Sequence, residues 1–257
     1  MLIWRNIKDF ILSYHYSKGQ YFLISFPKTG RTWLMHMLLQ MKDLSNHPLK
    51  NKKHFIFNEH DNSEIIIENG DRNNPLDIFR FTGRIRYRRA KVIFLVRDPR
   101  DVVVSHFYQV TKRSKEPFVF NSISEFVRHD TFGFNRIIKY YNLWHNNRNQ
   151  PSQFLLIKYE KLFQNGVEEL QKINDYLNLC ISVTDIEKVY ENSSANMMRK
   201  KELANQLEGF KCFGKEKNQL KVRNAKIGEY LNELSEEDII YCNLKMKELN
   251  PFFSYKI

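Results

Sequence analysis

Three short apolar runs, each followed by a stretch with helical spacing, set the strongest limit on how this chain can fold. Near-continuous runs of β-branched and aromatic residues are typical of strands that are buried on both faces of a parallel sheet. The helical stretches between them would cover those two faces. The pattern therefore predicts one α/β domain over residues 1–257, with a central, mostly parallel sheet flanked by helices.

The predicted elements follow from these runs. The strands are residues 21–25, 91–96 and 154–157, with a fourth over residues 55–57. The helices are residues 32–41, 101–111, 134–144, 162–177, 184–190 and 236–249. Residues 205–230 are rich in glycine and lysine and are predicted to be irregular. Loops of that length are usually lids, binding loops or disordered segments.

The composition is that of an ordinary globular protein, with 42% hydrophobic and 27% charged residues, which excludes disorder, collagen and coiled coil for the whole chain. The apolar runs are too short to cross a bilayer, and charges interrupt the N-terminal stretch too early for a secretory signal. Residues 2–14 fit a helix packed on its own domain, with a membrane-surface anchor as the alternative. We expect a cytoplasmic protein without a membrane partner.

The three cysteines, Cys180, Cys212 and Cys242, lie about thirty residues apart and form no C-x-x-C pair. This spacing argues against a zinc site and a disulfide framework, and it is typical of free thiols in a reducing compartment. We therefore predict no bound metal.

The charge indicates an anionic ligand, because 41 Lys and Arg against 29 Asp and Glu leave a net charge of +12. A nucleic-acid-binding protein would concentrate its lysines and arginines on one helix or tail. Here they are spread along the chain, with one dense stretch over residues 84–91. A polyanionic ligand other than nucleic acid is favoured, and nucleic acid is the alternative.

A basic loop joins the first strand to the first helix, and it reads Phe26-Pro27-Lys28-Thr29-Gly30-Arg31-Thr32-Trp33. Such a turn points unpaired backbone N–H groups and the positive end of the helix dipole at one place. Gly30 permits close approach of the backbone, while Lys28, Arg31 and Thr32 add charge and hydrogen bonds. The loop predicts a phosphate site, with a solvated loop as the alternative. It is not a Walker loop, because its glycine follows the lysine.

A second basic loop follows the strand over residues 91–96. Asp98 is a predicted N-cap and Pro99 fits the first helical position. Arg97 then lies at the carboxyl end of a strand, where open parallel sheets bind ligands, and Ser105 lies about two turns into the helix. Arginine suits a phosphate ligand because its planar fork makes bidentate contacts.

The two loops together resemble those of the sulfotransferases, whose first loop is commonly Tyr-Pro-Lys-Ser-Gly-Thr-Thr-Trp and whose second has the spacing Arg-x-Pro-x-Asp-x-x-x-Ser. The resemblance implies a P-loop-like three-layer fold and 3′-phosphoadenosine 5′-phosphosulfate (PAPS) as co-substrate, with adenosine 3′,5′-bisphosphate (PAP) as product. It implies that Arg97 and Ser105 bind the 3′-phosphate and that Trp33 stacks on adenine. The residues it assigns to the 5′-end are Lys28, Thr29, Gly30, Arg31 and Thr32.

Three further matches extend the resemblance along the chain. Tyr159, in Lys-Tyr-Glu-Lys-Leu, is similar to the family's nucleotide-contacting tyrosine. Arg223, in Arg-Asn-Ala-Lys-Ile-Gly-Glu-Tyr, is similar to the 3′-phosphate arginine of the loop that closes over the cofactor, although Asn224 and Ala225 replace that loop's Lys and Gly. Ser193-Ser194-Ala195 lies where the family often has Thr-Ser-Phe near adenine, which implies a place for Ser193 in the cofactor site.

His60 is the predicted catalytic base. Sulfuryl transfer to a hydroxyl needs a base near the acceptor proton, and an imidazole titrates near neutral pH. The segment that ends in His60 and Asp61 resembles the family's Thr-His or Ser-His-Asp segment. His54 is the competing base, and a metal site formed by His54, His60 and Asp61 is a further alternative.

The sequence therefore predicts a PAPS-dependent sulfotransferase acting on a small-molecule or glycan hydroxyl, or on an amine, with His60 and Lys28 as catalytic residues. A small-molecule kinase of related fold and a nucleotide- or polyanion-binding protein are the alternatives. The kinase would need the Walker lysine and Mg²⁺ ligands that this loop lacks. The acceptor and the oligomeric state stay open, since the family's short dimerisation motif is missing.

Overall fold

The computed structural model describes residues 20–46, 56–59, 87–113, 118–204, 206 and 226–256. Within them, four strands form one sheet in the order β2-β1-β3-β4, and every neighbouring pair is parallel. The strands are β1 (Tyr21–Ser25), β2 (Phe57–Glu59), β3 (Lys91–Val96) and β4 (Gln153–Lys158). Because all four are parallel, their carboxyl ends lie at the same edge of the sheet.

Helices cover both faces of the sheet, which confirms the predicted α/β architecture. The helices are α1 (Arg31–Leu44), α2 (Pro99–Lys112), α3 (Ile123–Arg128), α4 (Phe134–Asn146), α5 (Tyr159–Gln164), α6 (Gly166–Leu177), α7 (Val183–Glu191), α8 (Ala195–Leu203), α9 (Tyr230–Glu233) and α10 (Glu236–Met246). A 3₁₀ turn, Pro251–Phe253, follows.

The strand residues alternate between two hydrophobic cores, because successive side chains of a strand point to opposite faces. Phe22 and Ile24 of β1 belong to the core that α2, α4 and α10 cover. Tyr21 and Leu23 belong to the core that α1, α6 and α7 cover. The sheet is thus the middle of three layers, with helices packed on both of its faces. The loops lie at its carboxyl edge.

Two predicted elements differ from the structure. The helix expected over residues 162–177 is two helices, α5 and α6, which meet at Asn165. The fourth strand is Phe57–Glu59, shifted two residues toward the C-terminus of the expected run. Helices α3, α8 and α9 were not predicted. The N-terminal helix and most of the irregular segment 205–230 lie outside the described residues, and none of the described helices is long and apolar enough to cross a membrane.

Candidate functional site

The first basic loop turns sharply between β1 and α1. Lys28 and Gly30 both have left-handed backbone conformations, with φ of 76° and 96°. The Thr29 hydroxyl donates to the carbonyl of Phe26 at 3.0 Å, which closes the turn. The first turn of α1 contains no acidic residue, so the positive end of its dipole faces the loop uncompensated. This is the geometry of an anion-binding helix N-terminus.

Gly30 is required here for its size as well as its conformation. A Cβ on Gly30 would lie 2.5 Å from Cδ2 of Tyr159, so the tyrosine ring packs directly on the glycine. Tyr159 is the first residue of α5, immediately after β4, and is 6% exposed. The loops after β1 and β4 are therefore in van der Waals contact.

Lys28 reaches from the first loop to the second helix. Its Nζ donates to Oε1 of Gln109 at 3.2 Å. Gln109 lies one helical turn beyond Ser105 on α2 and was not predicted from the sequence. Its i, i+4 spacing from Ser105 could have indicated it, since that spacing puts two residues on the same face of a helix.

Arg31, Thr32 and Ser105 are half-buried at the starts of their helices or within two turns of them. Burial lowers the pKa of Arg31 to about 10, so its guanidinium stays charged at neutral pH. Together with Lys28 it gives the first loop two cations. At a partly buried position these two cations attract an anion more strongly than they would in bulk water, because the effective dielectric constant is lower there.

The second loop begins α2 as the sequence predicts. The Asp98 carboxylate accepts from the backbone N–H of Arg100 at 2.9 Å, and Pro99 occupies the first helical turn, which confirms the predicted cap. The hydroxyl of Tyr141 accepts from the Arg97 N–H at 3.0 Å and donates to the Arg97 carbonyl at 2.8 Å. Arg97 is thus held through its own backbone by one buried side chain.

The Arg97 guanidinium is a buried cation. The residue is 8% exposed, and the guanidinium carbon lies 4.5 Å from the centre of the Tyr159 ring. Its Nη2 donates to the carbonyl of Lys226 at 2.9 Å and lies 3.4 Å from Asp101. Burial acts to lower the pKa of Arg97, but Tyr159 and Asp101 outweigh it, so the pKa is raised.

One donor of Arg97 is left for a ligand. Within the described part of the chain, its buried Nε has no hydrogen-bond partner. A buried, unsatisfied donor on a charged group is unfavourable unless a ligand pairs with it. An anion at the carboxyl end of β3 fits this requirement.

Trp33 lies among aromatic side chains. The centre of its ring is 5.7 Å from that of Tyr159, 6.4 Å from that of Phe163 and 6.1 Å from that of Tyr190. Its indole Nε1 donates to the carbonyl of Ser193 at 2.7 Å. That bond fixes the ring orientation, and aromatic surfaces of this kind suit a planar heterocycle.

Ser193 reaches this cluster through its backbone. Its hydroxyl is buried, donates to the carbonyl of Val189 at 2.7 Å and accepts from Nε2 of Gln40 at 3.0 Å. The structure thus brings Ser193 next to Trp33, but the serine hydroxyl is engaged by protein groups.

Segment 226–230, which follows Arg223, is tied to the second loop. The Asp101 carboxylate accepts from the backbone N–H of Gly228 at 2.9 Å and from that of Tyr230 at 3.1 Å. Asp101 is only 2% exposed, so these bonds are shielded from water. Arg223, Asn224 and Ala225 themselves lie outside the described residues.

The predicted base and its competitor, His60 and His54, also lie outside the described residues, as does Asp61. The neighbouring strand is described: β2 pairs with β1 in the register Ile24 to Glu59 and ends at Glu59. Among the described residues, no group of three His, Cys, Asp or Glu could hold a metal.

The arrangement can bind an elongated ligand with two anionic groups. The first loop and α1 provide one cationic end, and Arg97 with α2 provides the other. Tyr159 contacts both ends, and Trp33 adds an aromatic surface beside it. A nucleotide with phosphates at two positions has these features.

Comparisons with known proteins agree with this description. A sequence model of the family described as "Sulfotransferase domain" matches residues 18–248. Sulfotransferase 2A1 of Macaca fascicularis is 26% identical over 223 residues, which cover 83% of this chain and 78% of that protein.

Two solved structures share the fold. Mouse sulfotransferase SULT7A1 complexed with PAP superimposes with a TM-score of 0.63 at 17% identity, covering 90% of this chain and 84% of that one. Retinol dehydratase in complex with androsterone and inactive cofactor PAP gives a TM-score of 0.60 at 16% identity, covering 89% of this chain and 80% of that one. Both agree with the predicted three-layer α/β fold.

Proposed function

The chain belongs to the sulfotransferase domain family, and from this premise we propose that it transfers a sulfuryl group from PAPS to a hydroxyl or amine of its acceptor. The observation that carries the proposal is the pair of basic strand-end loops joined by Tyr159. Mouse SULT7A1 and retinol dehydratase, which share the fold, are complexed with PAP. The two anionic ends of PAP match the two cationic ends of this site.

Each loop receives one end of the nucleotide. The first loop, with Lys28, Thr29, Gly30, Arg31 and Thr32, holds the 5′-end at the N-terminus of α1. Arg97, through its buried Nε, and Ser105 hold the 3′-phosphate, and Arg223 adds a third contact. Trp33 and Tyr159 contact the adenine side, and Ser193 supports Trp33 through its carbonyl.

The reaction is an in-line displacement at sulfur. The acceptor oxygen forms a bond to sulfur while the bond from sulfur to the 5′-phosphate oxygen breaks, and PAP leaves with the electron pair. His60 takes the acceptor proton. Lys28 stabilises the charge that builds on the leaving oxygen, as cationic groups do in phosphoryl transfer. These steps use no metal.

The acceptor class is a small molecule or a glycan. Retinol dehydratase, whose fold the chain shares, has been crystallised with androsterone, a small hydroxysteroid. A hydroxysteroid is therefore the first acceptor to test, followed by phenols and saccharides.

Donor selectivity tests the site assignment. PAPS and adenosine 5′-phosphosulfate differ only in the 3′-phosphate, so PAPS should compete far more strongly for the site, and PAP should be released when an accepted substrate is added. Equal affinities for the two nucleotides would refute the assignment of Arg97 and Ser105. Binding of PAP without turnover for any acceptor would favour a nucleotide-binding protein.

His60→Ala tests the base. Turnover should fall roughly 10²- to 10⁴-fold, the usual contribution of a positioned general base, while PAP affinity stays near that of the wild type. The wild type should lose activity as the pH falls through the histidine pKa, because a protonated imidazole cannot accept the proton. His54→Ala is the control. If His54→Ala loses turnover and His60→Ala keeps it, the base is His54.

A further inference from the structure

Residues 251–256, which follow α10, are fastened to the second basic loop. Phe253 is fully buried and packs on Tyr141, with 5.4 Å between ring centres. The Lys158 ammonium donates to the Phe253 carbonyl and lies 4.9 Å from the centre of the Tyr255 ring. Segment 251–256 is thus packed against the carboxyl ends of β3 and β4.

Arg100 ties the same segment to the cap of α2. Its Nη2 donates to the carbonyl of Lys256 at 2.9 Å, and its Nε donates to the Asp98 carboxylate at 3.0 Å. The guanidinium also lies 4.5 Å from the centre of the Tyr230 ring. One arginine therefore connects the segment, the cap residue and the segment that follows Arg223.

A shorter connection runs through Glu160. The Tyr255 hydroxyl donates to Oε2 of Glu160 at 3.0 Å. The other oxygen, Oε1, accepts from the backbone N–H of Asp98 at 2.7 Å. Because that N–H belongs to the peptide that joins Arg97 to Asp98, the carboxylate fixes the plane of the peptide from which the Arg97 side chain extends.

Two tyrosine hydroxyls thus fix the backbone of Arg97 from opposite sides. Tyr141 bonds the N–H and the carbonyl of Arg97 directly. Tyr255 acts one step away, through Glu160. Groups that bind a ligand need such support, because a displacement of about an ångström weakens a directional contact greatly.

We propose that Tyr255 is a positioning residue for the 3′-phosphate site, acting through Glu160 on the Arg97–Asp98 peptide. The inference rests on the proposed function, because it takes Arg97 as the ligand of the 3′-phosphate. It gives a role to residues 251–256, for which the sequence predicts none. Removing the Tyr255 hydroxyl leaves the Glu160 carboxylate held only by backbone N–H groups, those of Asp98 and of Glu160 itself. The Arg97–Asp98 peptide then keeps Tyr141 but loses a fixed partner on its N–H, so the guanidinium is oriented less firmly.

The test compares the affinities of PAP and adenosine 5′-phosphate, measured by calorimetry on the purified full chain. The ratio of the two affinities isolates the contribution of the 3′-phosphate. Tyr255→Phe should lower this ratio roughly fivefold, about what one hydrogen bond contributes, while adenosine 5′-phosphate binds nearly as before. A merely structural role would weaken both nucleotides equally and leave the ratio unchanged.

Tyr176→Phe is the matched control. Its hydroxyl also makes a hydrogen bond, but to backbone carbonyls at the amino edge of the sheet, those of Gln153 at 2.9 Å and Val92 at 3.1 Å. The ratio should be unchanged in this variant. A ratio that is equal in the wild type and in Tyr255→Phe would overturn the inference alone. A wild type that binds both nucleotides equally would overturn the 3′-phosphate assignment as well.

Glu160→Ala separates the proposed connection from a general effect of the tyrosine. It removes both carboxylate oxygens that join Tyr255 to the Asp98 N–H, so it should also lower the ratio. The double variant should lose no more than Glu160→Ala alone, since both changes break the same connection. Fully additive losses would contradict the inference.

Discussion

Asp101 holds Gly228 by a direct hydrogen bond: the carboxylate accepts from the backbone N–H of Gly228 at 2.9 Å. The same carboxylate accepts from the N–H of Tyr230 at 3.1 Å and lies 3.4 Å from Nη2 of Arg97. A single buried acid therefore fixes the beginning of α2 relative to the segment that follows Arg223. The loop expected to close over the nucleotide has one end attached to Arg97 and α2, which we propose as its 3′-phosphate site.

Asp101→Asn should weaken PAP binding roughly tenfold, because the new amide presents a donor to a backbone N–H and leaves one bond unmade. Calorimetry on the wild type and the variant measures the loss. Asp185→Asn is the control, since Asp185 bonds Ser182 and Lys188 on α7. Unchanged PAP affinity in Asp101→Asn would mean that the attachment does not serve the nucleotide site.

Gly30→Ala should abolish measurable PAP binding and lower the free energy of unfolding. The new Cβ would lie 2.5 Å from Tyr159, and φ of 96° is strained for any residue with a Cβ. Gly228→Ala is the control for strain without a clash, because φ there is 75° and, among the described residues, the one atom within 4 Å of the new Cβ is Cδ1 of Leu231 at 3.9 Å.

In urea denaturation, Gly228→Ala should lose about 1–2 kcal/mol, the strain of a left-handed residue. Gly30→Ala should lose clearly more. Equal losses would show that Tyr159 yields to the new methyl group and that the close packing is not needed.

Lys28→Ala should lower turnover more than it lowers PAP affinity, because the lysine contributes most as charge develops on the leaving oxygen. Gln109→Leu removes the side-chain oxygen that accepts from the Lys28 ammonium at 3.2 Å but keeps the lysine charge. Its turnover should therefore fall less than that of Lys28→Ala. Steady-state kinetics with PAPS measure both. Unchanged turnover with a raised Michaelis constant in Lys28→Ala would make the lysine a binding residue alone.

His36 should make stability depend on pH below neutrality. Burial, and then the Lys201 ammonium with its Nζ 2.8 Å from Nε2, lower the pKa of His36 to about 4. Lysine can only donate, so that ring nitrogen is the acceptor and is unprotonated. The unfolded chain binds a proton near pH 6.5 that the folded chain binds only near pH 4, so this contribution is complete above pH 6.5 and is lost between these values.

Urea denaturation at pH 7 and at pH 5 checks this pH dependence. The wild type should lose more stability between the two than His36→Gln, which has no proton to bind. Parallel losses would contradict the assigned cause.

The local features of this fold could be predicted from the sequence, because they depend on residues that are close together in the chain. Strand β3 and the Asp98 cap of α2 were predictable from apolar runs and cap chemistry. The break between α5 and α6 was not. Gly166, the first residue of α6, packs so tightly on Tyr190 that a Cβ would lie 1.9 Å from the ring. That contact joins residues far apart in the chain, so the residues around Gly166 do not predict it.

In the candidate site, too, local features could be predicted from the sequence and contacts between distant segments could not. Both basic loops were predicted, because their residues are consecutive. The supports of those loops were not predicted, because each joins distant segments: Gln109 to Lys28, Tyr255 to Glu160, and Trp33 to the carbonyl of Ser193. The predicted place of Ser193 in the cofactor site stays a prediction. In this structure its hydroxyl donates to the Val189 carbonyl and accepts from Gln40.

A calorimetric titration with PAP, on the wild type and on Arg97→Gln, measures whether the chain binds this nucleotide and whether Arg97 holds it. Arg88→Gln is the control, because Arg88 is exposed in the turn before β3, at the amino edge of the sheet. We predict one PAP bound per chain in the wild type and in Arg88→Gln. We predict an affinity at least about tenfold lower in Arg97→Gln, as expected when a charged hydrogen bond is lost. A wild type that binds no PAP, or an Arg97→Gln variant that binds it as tightly, would contradict the account.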